Sequence, residues 1–196
     1  TMDGFDPLET PPAKLTLGYL ARLCPLKGLD ILVDAFLQLK DTGKYPDLSL
    51  EMAGGMTADD EPFVDEQRRK LMQAGLDGSF AFHPNVNREQ KIDFLRKLTV
   101  FSVPARYPEA FGLYVVEALA AGVPVVLPDS GAFPELVEQT QGGRIYQPNE
   151  PNALAEALEP LLDNPDQAKN LGLAGHKSVS RDFSNEQLAK RLVDNI

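Results

Sequence analysis

Apolar residues in this chain gather in short runs, and between the runs they recur at every third or fourth position. The runs are Leu15 to Leu20, Ser49 to Ala53, Phe80 to His83, Val100 to Pro104, Val123 to Leu127 and Arg144 to Tyr146, and their lengths predict six strands. Leu32, Ala35, Phe36 and Leu39 follow the i, i+3, i+4, i+7 rule and predict a helix after the first strand. Ile92, Leu95 and Leu98 repeat that spacing ahead of the fourth, with Asn87 to Gln90 arranged as a capping box. Strict alternation of the two periods predicts the α/β class: a Rossmann-like parallel sheet of about six strands with helices on both faces. After Tyr146 the runs stop, and Asn149 to Leu162, Asp166 to Ser180 and Ser184 to Ile196 read as a C-terminal helical extension. Gly172 and Gly175 weaken the second of these helices. Thr1 to Lys14, rich in Pro, Asp and Thr, reads as a linker, which leaves residues 15–196 as the domain.

One predicted helix lacks a polar face. It starts near Gly112 and ends at Gly122, and Val115, Val116, Ala118, Leu119, Ala120 and Ala121 leave no side for water. Glu117 therefore points into protein or into a cleft, where an ionised carboxylate is costly unless donors or a cation reach it. Either a neighbouring Lys or Arg meets it, with Glu109 a surface residue beside Pro108, or both glutamates meet a ligand. A carboxylate only accepts hydrogen bonds, so the pair suits a hydroxyl-rich ligand, while amides at the helix start suit an anion. Hydroxyls with an anion describe a nucleotide sugar. Arg22 and Lys27 follow the first strand directly, at the sheet edge where open α/β folds bind ligands, so both cations and the Glu109 to Glu117 segment are expected to meet in one crevice.

Composition narrows the choice. With 196 residues, 43% of them hydrophobic, the chain holds one good core, and no apolar run approaches the roughly 18 residues of a membrane span. The single Cys24 has no internal partner and reads as a small apolar residue of a reducing compartment, so the expected location is the cytoplasm. A net charge of −10 argues against nucleic acid as a partner. His83 and His176 have no metal-ligand spacing, and Asp59-Asp60-Glu61 before Pro62 reads as a helix cap, so no metal is expected. Neither the dinucleotide fingerprint nor the P-loop is present, and Gly54-Gly55 reads equally as a strand exit or as one wall of a nucleotide pocket.

On these residues the chain resembles the C-terminal, donor-binding domain of the family-four retaining glycosyltransferases of the GT-B fold. The first motif stands as Gly18-Tyr19-Leu20-Ala21-Arg22-Leu23-Cys24-Pro25-Leu26-Lys27-Gly28, with Ala21 where the family has glycine. The second runs from Glu109-Ala110-Phe111-Gly112 to Glu117, followed by Ala118 to Val126. Ser130-Gly131 replaces the double glycine of the next loop, which continues to Pro134 and Glu135, and Gly4-Phe5-Asp6 resembles the tail of the interdomain stretch.

The resemblance implies that Arg22 and Lys27 hold and stabilise the departing diphosphate and that Glu109 grips the transferred sugar. It implies further that Ala110, Phe111, Gly112 and Leu113 meet sugar and phosphate, that Glu117 holds the ribose diol, and that main chain at Val86 borders the base. The donor is then a UDP-, GDP- or ADP-linked sugar, with no obligatory cofactor and front-face attack by the acceptor. The partner is an N-terminal acceptor-binding domain, absent here, without which the domain transfers nothing. Two other functions share these features: a nucleotide-sugar epimerase domain and a non-catalytic nucleotide-sugar-binding module.

Overall fold

The computed structural model describes residues 4–7 and 14–182. Its centre is a six-stranded sheet of β1 (Thr16–Leu20), β2 (Ser49–Gly54), β3 (Phe80–Pro84), β4 (Val100–Phe101), β5 (Val125–Pro128) and β6 (Gly143–Tyr146). The spatial order is β3-β2-β1-β4-β5-β6 and every neighbouring pair is parallel. This is the doubly wound order, which reverses between β1 and β4 and opens a crevice at the carboxyl ends of the strands there. The six predicted strands and the fold class are all present.

Seven helices among the described residues cover the sheet: α1 (Leu29–Asp41), α2 (Glu61–Gln73), α3 (Arg88–Arg96), α4 (Leu113–Ala120), α5 (Phe133–Thr140), α6 (Pro151–Asp163) and α7 (Pro165–Asp182). α1 packs on α2 and α6, while α4 and α5 pack on α7. The sheet is buried between these layers, and every residue of β1 is buried. The Asn87 capping box forms as expected, with Gln90 N–H donating to Asn87 Oδ1 and Asn87 N–H to Gln90 Oε1, both at 2.9 Å. Among the described residues no helix is long and apolar enough to cross a membrane. The predicted helix from Ser184 lies outside the described residues.

Several boundaries differ from the sequence pattern, each for a local reason. β5 begins at Val125 because Gly122 and Val123 close α4, their amides donating to the carbonyls of Leu119 and Ala118 at 2.9 and 3.0 Å. That 6→1 and 5→2 pair is the Schellman motif, and Gly122 at φ 73° supplies its left-handed residue. β4 ends at Phe101 because Pro104 has no N–H to give, while the carbonyls of Pro104 and Ala105 accept from Asn149 Nδ2 at 3.3 and 3.0 Å. The two glycines of α7 are contact points: a Cβ on Gly172 would lie 1.9 Å from the Gly122 carbonyl oxygen, and one on Gly175 would lie 3.1 Å from the Gly142 Cα. Phe5 is buried in the core and stacks under Arg88 and Lys91, whose charged groups lie 5.5 and 5.8 Å from its ring centre.

Candidate functional site

The chain leaving β1 is held in place strand by strand. Ala21 N–H donates to Ala53 O, Leu23 N–H to Gly55 O, and Asn85 N–H to Gly54 O at 2.8 Å, so the ends of β1, β2 and β3 form one ridge. Asn85 has φ 56° and locks the ridge with both ends of its side chain, accepting from Met56 N–H at 3.0 Å and donating to Met56 O at 3.1 Å. A cleft of about 710 Å³ lies over this ridge, lined by Arg22, Gly55, Val86, Lys91, Tyr114 and Glu117 among others. Gly54 and Gly55 are thus both strand exit and cleft wall.

Arg22 stands on the ridge with its guanidinium fixed from behind. Nε donates to both oxygens of Asp60 at 3.2 and 3.1 Å, and one terminal nitrogen lies 3.1 Å from Oδ1. A guanidinium carries five N–H donors, so others remain for the cleft. Asp60 also accepts from the amide and hydroxyl of Thr57 at 2.9 and 2.8 Å. Arg22 first, and then the Thr57 amide, hold its carboxyl below the ordinary range. Asp60 stands at the N-cap position of α2, where the sequence places a helix cap, but its side chain makes no bond to that helix and instead closes the turn at Thr57 and orients a cation. Among the described residues no group of three or more His, Cys, Asp or Glu side chains is placed to hold a metal ion.

Lys27 ends a single 3-10 turn, Pro25–Lys27, that Gly28 closes at φ 70°. Only glycine fits there, since an added Cβ would meet the Pro104 carbonyl oxygen at 1.9 Å. Lys27 Nζ pairs with Glu109 and lies 4.8 Å from the centre of the Tyr107 ring and 5.3 Å from that of Tyr114. Burial presses its ammonium down in pKa, but hydrogen bonds to Glu109 and Tyr107 outweigh this and the net direction is upward. The turn is tied to the Glu109 loop by Arg106, whose guanidinium grips Asp30 through two 2.7 Å bonds and whose N–H donates to Leu26 O.

Glu109, Ala110, Phe111 and Gly112 lead from that loop into α4. Gly112 takes φ 74° at the helix start, packed against Phe133, and Glu109 O accepts from Ala132 N–H at 2.8 Å. Gly131 lies against Glu109, where a Cβ would sit 2.4 Å from its nitrogen. Ala110, Phe111 and Leu113 are exposed and Gly112 is buried, and of these four Leu113 lines the cleft. The amides of Leu113 and Tyr114 belong to the first turn, which has no intrahelical acceptor for them. Glu117 is buried with 8% exposure, and the cation that meets it is Lys91 of α3.

The fold thus brings Arg22, Val86, Leu113 and Glu117 onto one cleft, with Lys27 and Glu109 beside it and Tyr114 touching both groups. Sequence reasoning did not identify Lys91, Asp60, Arg106 or Tyr114. The partners of the first two lie 26 and 38 positions away, and no local spacing marks such contacts.

The sequence and the fold are similar to those of known proteins. The sequence model of the family "Glycosyl transferases group 1" matches residues 5–178. The lipopolysaccharide core biosynthesis mannosyltransferase LpsB of Rhizobium meliloti is 32% identical over 191 residues, covering 95% of this chain and 52% of that protein. The D-inositol 3-phosphate glycosyltransferase of Streptomyces griseus is 31% identical over 85% of this chain and 36% of its own length. The chain therefore spans about half or less of the curated relatives it matches. Among solved structures, the C-terminal domain of a group 1 protein (LpcC) from Francisella tularensis superposes with a TM-score of 0.82 at 24% identity, covering 94% of this chain and 98% of that one. Anabaena Alr3699/HepE, solved with UDP and glucose, superposes at 0.78 with 25% identity over 92% of this chain and 48% of its own. A match that runs from Phe5, through both ion-paired motifs, to the glycine contacts of α7 places this chain in the glycosyl transferases group 1 family.

Proposed function

We propose that this chain is the donor-binding half of a retaining glycosyltransferase of the cytoplasm. It holds a nucleotide sugar, whose sugar passes to an acceptor bound by a second domain of the same protein. The observation that carries this reading is the pairing of opposite charges at one sheet edge, Lys27 with Glu109 and Lys91 with Glu117. A lone charge there would be costly to desolvate, whereas a pair can exchange partners: a diphosphate takes the cation and a sugar hydroxyl the carboxylate. Arg22, Lys27 and the first amides of α4 meet the diphosphate, and the charge it gains on departure is stabilised there without an obligatory metal. Glu109 holds the transferred sugar, Glu117 the ribose diol, and main chain at Val86 borders the base. With Glu117 given to ribose, the acceptor attacks from the front face.

Four of the six large hydrophobic side chains exposed among the described residues are Leu26, Tyr107, Phe111 and Leu113, on the Lys27 turn, the Glu109 loop and the first residue of α4. Such a collar around a cleft favours a second domain closing over it. The UDP-glucose complex of HepE and the GDP-mannose dependence named for a Mycobacterium tuberculosis relative support a nucleotide sugar as the class of donor, with the base left to experiment. Calorimetric titration of UDP, GDP and ADP, and of their glucose or mannose conjugates, tests the reading. At least one diphosphate should bind, Arg22→Ala should weaken it, and the chain alone should transfer nothing. Silence with every nucleotide would sink the donor-site assignment, and turnover by this chain alone would sink the need for a second domain.

A further inference from the structure

Tyr114 lines the cleft and also faces the Lys27–Glu109 pair. Its ring packs between Phe101 and Phe133, with ring centres 6.4 and 6.5 Å away, and lines the cleft wall. Its hydroxyl is sealed from solvent and makes no well-formed hydrogen bond among the described residues, although it lies near enough to Glu109 for that carboxylate to act on it. Burial first, and the neighbouring Glu109 carboxylate next, push its ionisation far above that of an ordinary phenol, so it stays an O–H donor. A buried donor without a well-formed bond is rare and calls for a reason. The reason lies next to it. Lys27 occupies Glu109, and Lys27 is the group a diphosphate draws away.

We propose that Tyr114 is a positioning residue for Glu109: when Lys27 turns to the diphosphate, the phenol donates to the carboxylate that Lys27 releases and keeps it aimed at the sugar. The inference rests on the donor-site reading above. Without such a replacement, Glu109 would lose the cation paired with it at the moment it must hold a sugar hydroxyl. A hydrogen bond to a charged acceptor is strong enough to fix that orientation.

The test compares each nucleoside diphosphate with its sugar conjugate by calorimetry: UDP with UDP-glucose, GDP with GDP-mannose and ADP with ADP-glucose. Tyr114→Phe removes one oxygen and keeps the packed ring. It should leave diphosphate affinity within about twofold and weaken the sugar conjugate about tenfold. In a Glu109→Ala background the same change should have no further effect on the conjugate. Lys27→Met is the second probe and leaves Tyr114 in place. It should weaken diphosphate and conjugate by the same factor, because the phenol still holds Glu109. Equal affinities for parent and Tyr114→Phe, a tenfold loss that persists without Glu109, or a collapse of sugar preference in Lys27→Met would each overturn the inference while leaving the donor site standing. A parent chain that binds none of the six compounds overturns both.

Discussion

The two ion pairs at the cleft are built in opposite ways. Lys27 and Glu109 sit on connections 82 positions apart, and their meeting depends on glycines at 28 and 131 and on the Arg106 clasp. Lys91 and Glu117 sit on α3 and α4, and their meeting depends on two capped helices, one opened by the Asn87 box and the other bounded by Gly112 and Gly122. A loop-borne pair can give way locally when a ligand competes for its cation. A helix-borne pair parts only by rotation of its side chains, because the backbones that carry it are fixed. The same residue types therefore behave differently: the first pair can shift with its loops, and the second meets a ligand from a fixed wall of the cleft.

The most damaging change should strike the loop device itself. Gly28→Ala combines a strained left-handed φ with a backbone clash at Pro104, and it should cost about 3 kcal/mol or more by denaturant unfolding. An unaltered midpoint would show that the Lys27 turn adjusts freely and that the comparison overstates its dependence on glycine.

A crossed pair of substitutions separates the two ion pairs. Lys91→Met strands a nearly buried carboxylate on a helix that cannot shift, and should destabilise the fold by about 1–3 kcal/mol, below the range for a fully buried pair because both side chains keep some exposure. Lys27→Met should destabilise less, because its loop relaxes, yet weaken diphosphate binding more. Denaturation and calorimetry on the two variants decide the matter, and the reverse ranking in either assay contradicts it.

The smallest effect expected is on Arg22 and its tether. The folded-state pKa of Asp60 is depressed, so its contribution is present above the ordinary carboxyl value of 3.8 and is lost as pH falls through the lower folded one. The folded-state pKa of Lys27 is raised, so its contribution is fully present below 10.5 and is lost as pH rises through the higher folded value. Stability should therefore carry an acid limb that Asp60→Asn removes and an alkaline limb that Lys27→Met removes. Thermal unfolding followed across pH checks this, and an acid limb unchanged in Asp60→Asn assigns it to another carboxylate.

Much of this architecture is legible in the sequence because its causes are local. Periodicity marks the six strands, a glycine at each end bounds α4, and the capping box at Asn87 names its own partners. The positions of Arg22, Lys27, Glu109 and Glu117 relative to strand ends follow from the same local rules and the alternating topology. What those charges touch does not. Lys91 reaches Glu117 only because α3 is laid beside α4, and Asp60 reaches Arg22 only because the β2 exit folds over the β1 exit. The same limit applies to Gly172 and Gly175, which look like weaknesses in a helix until the backbone they lie against is seen.

That contact also bears on how the domain can move. α7 meets the exit turn of α4 and the chain entering β6 through glycine set on main chain, with Gly172 against the Gly122 carbonyl and Gly175 against the Gly142 Cα, beside the Leu119 side chain. Side chains can swing to absorb a sliding motion, but main chain pressed on main chain has no such slack. The helix that carries Glu117 and the long helix behind it are therefore a single mechanical piece. Any movement of α4 has to carry α7 with it.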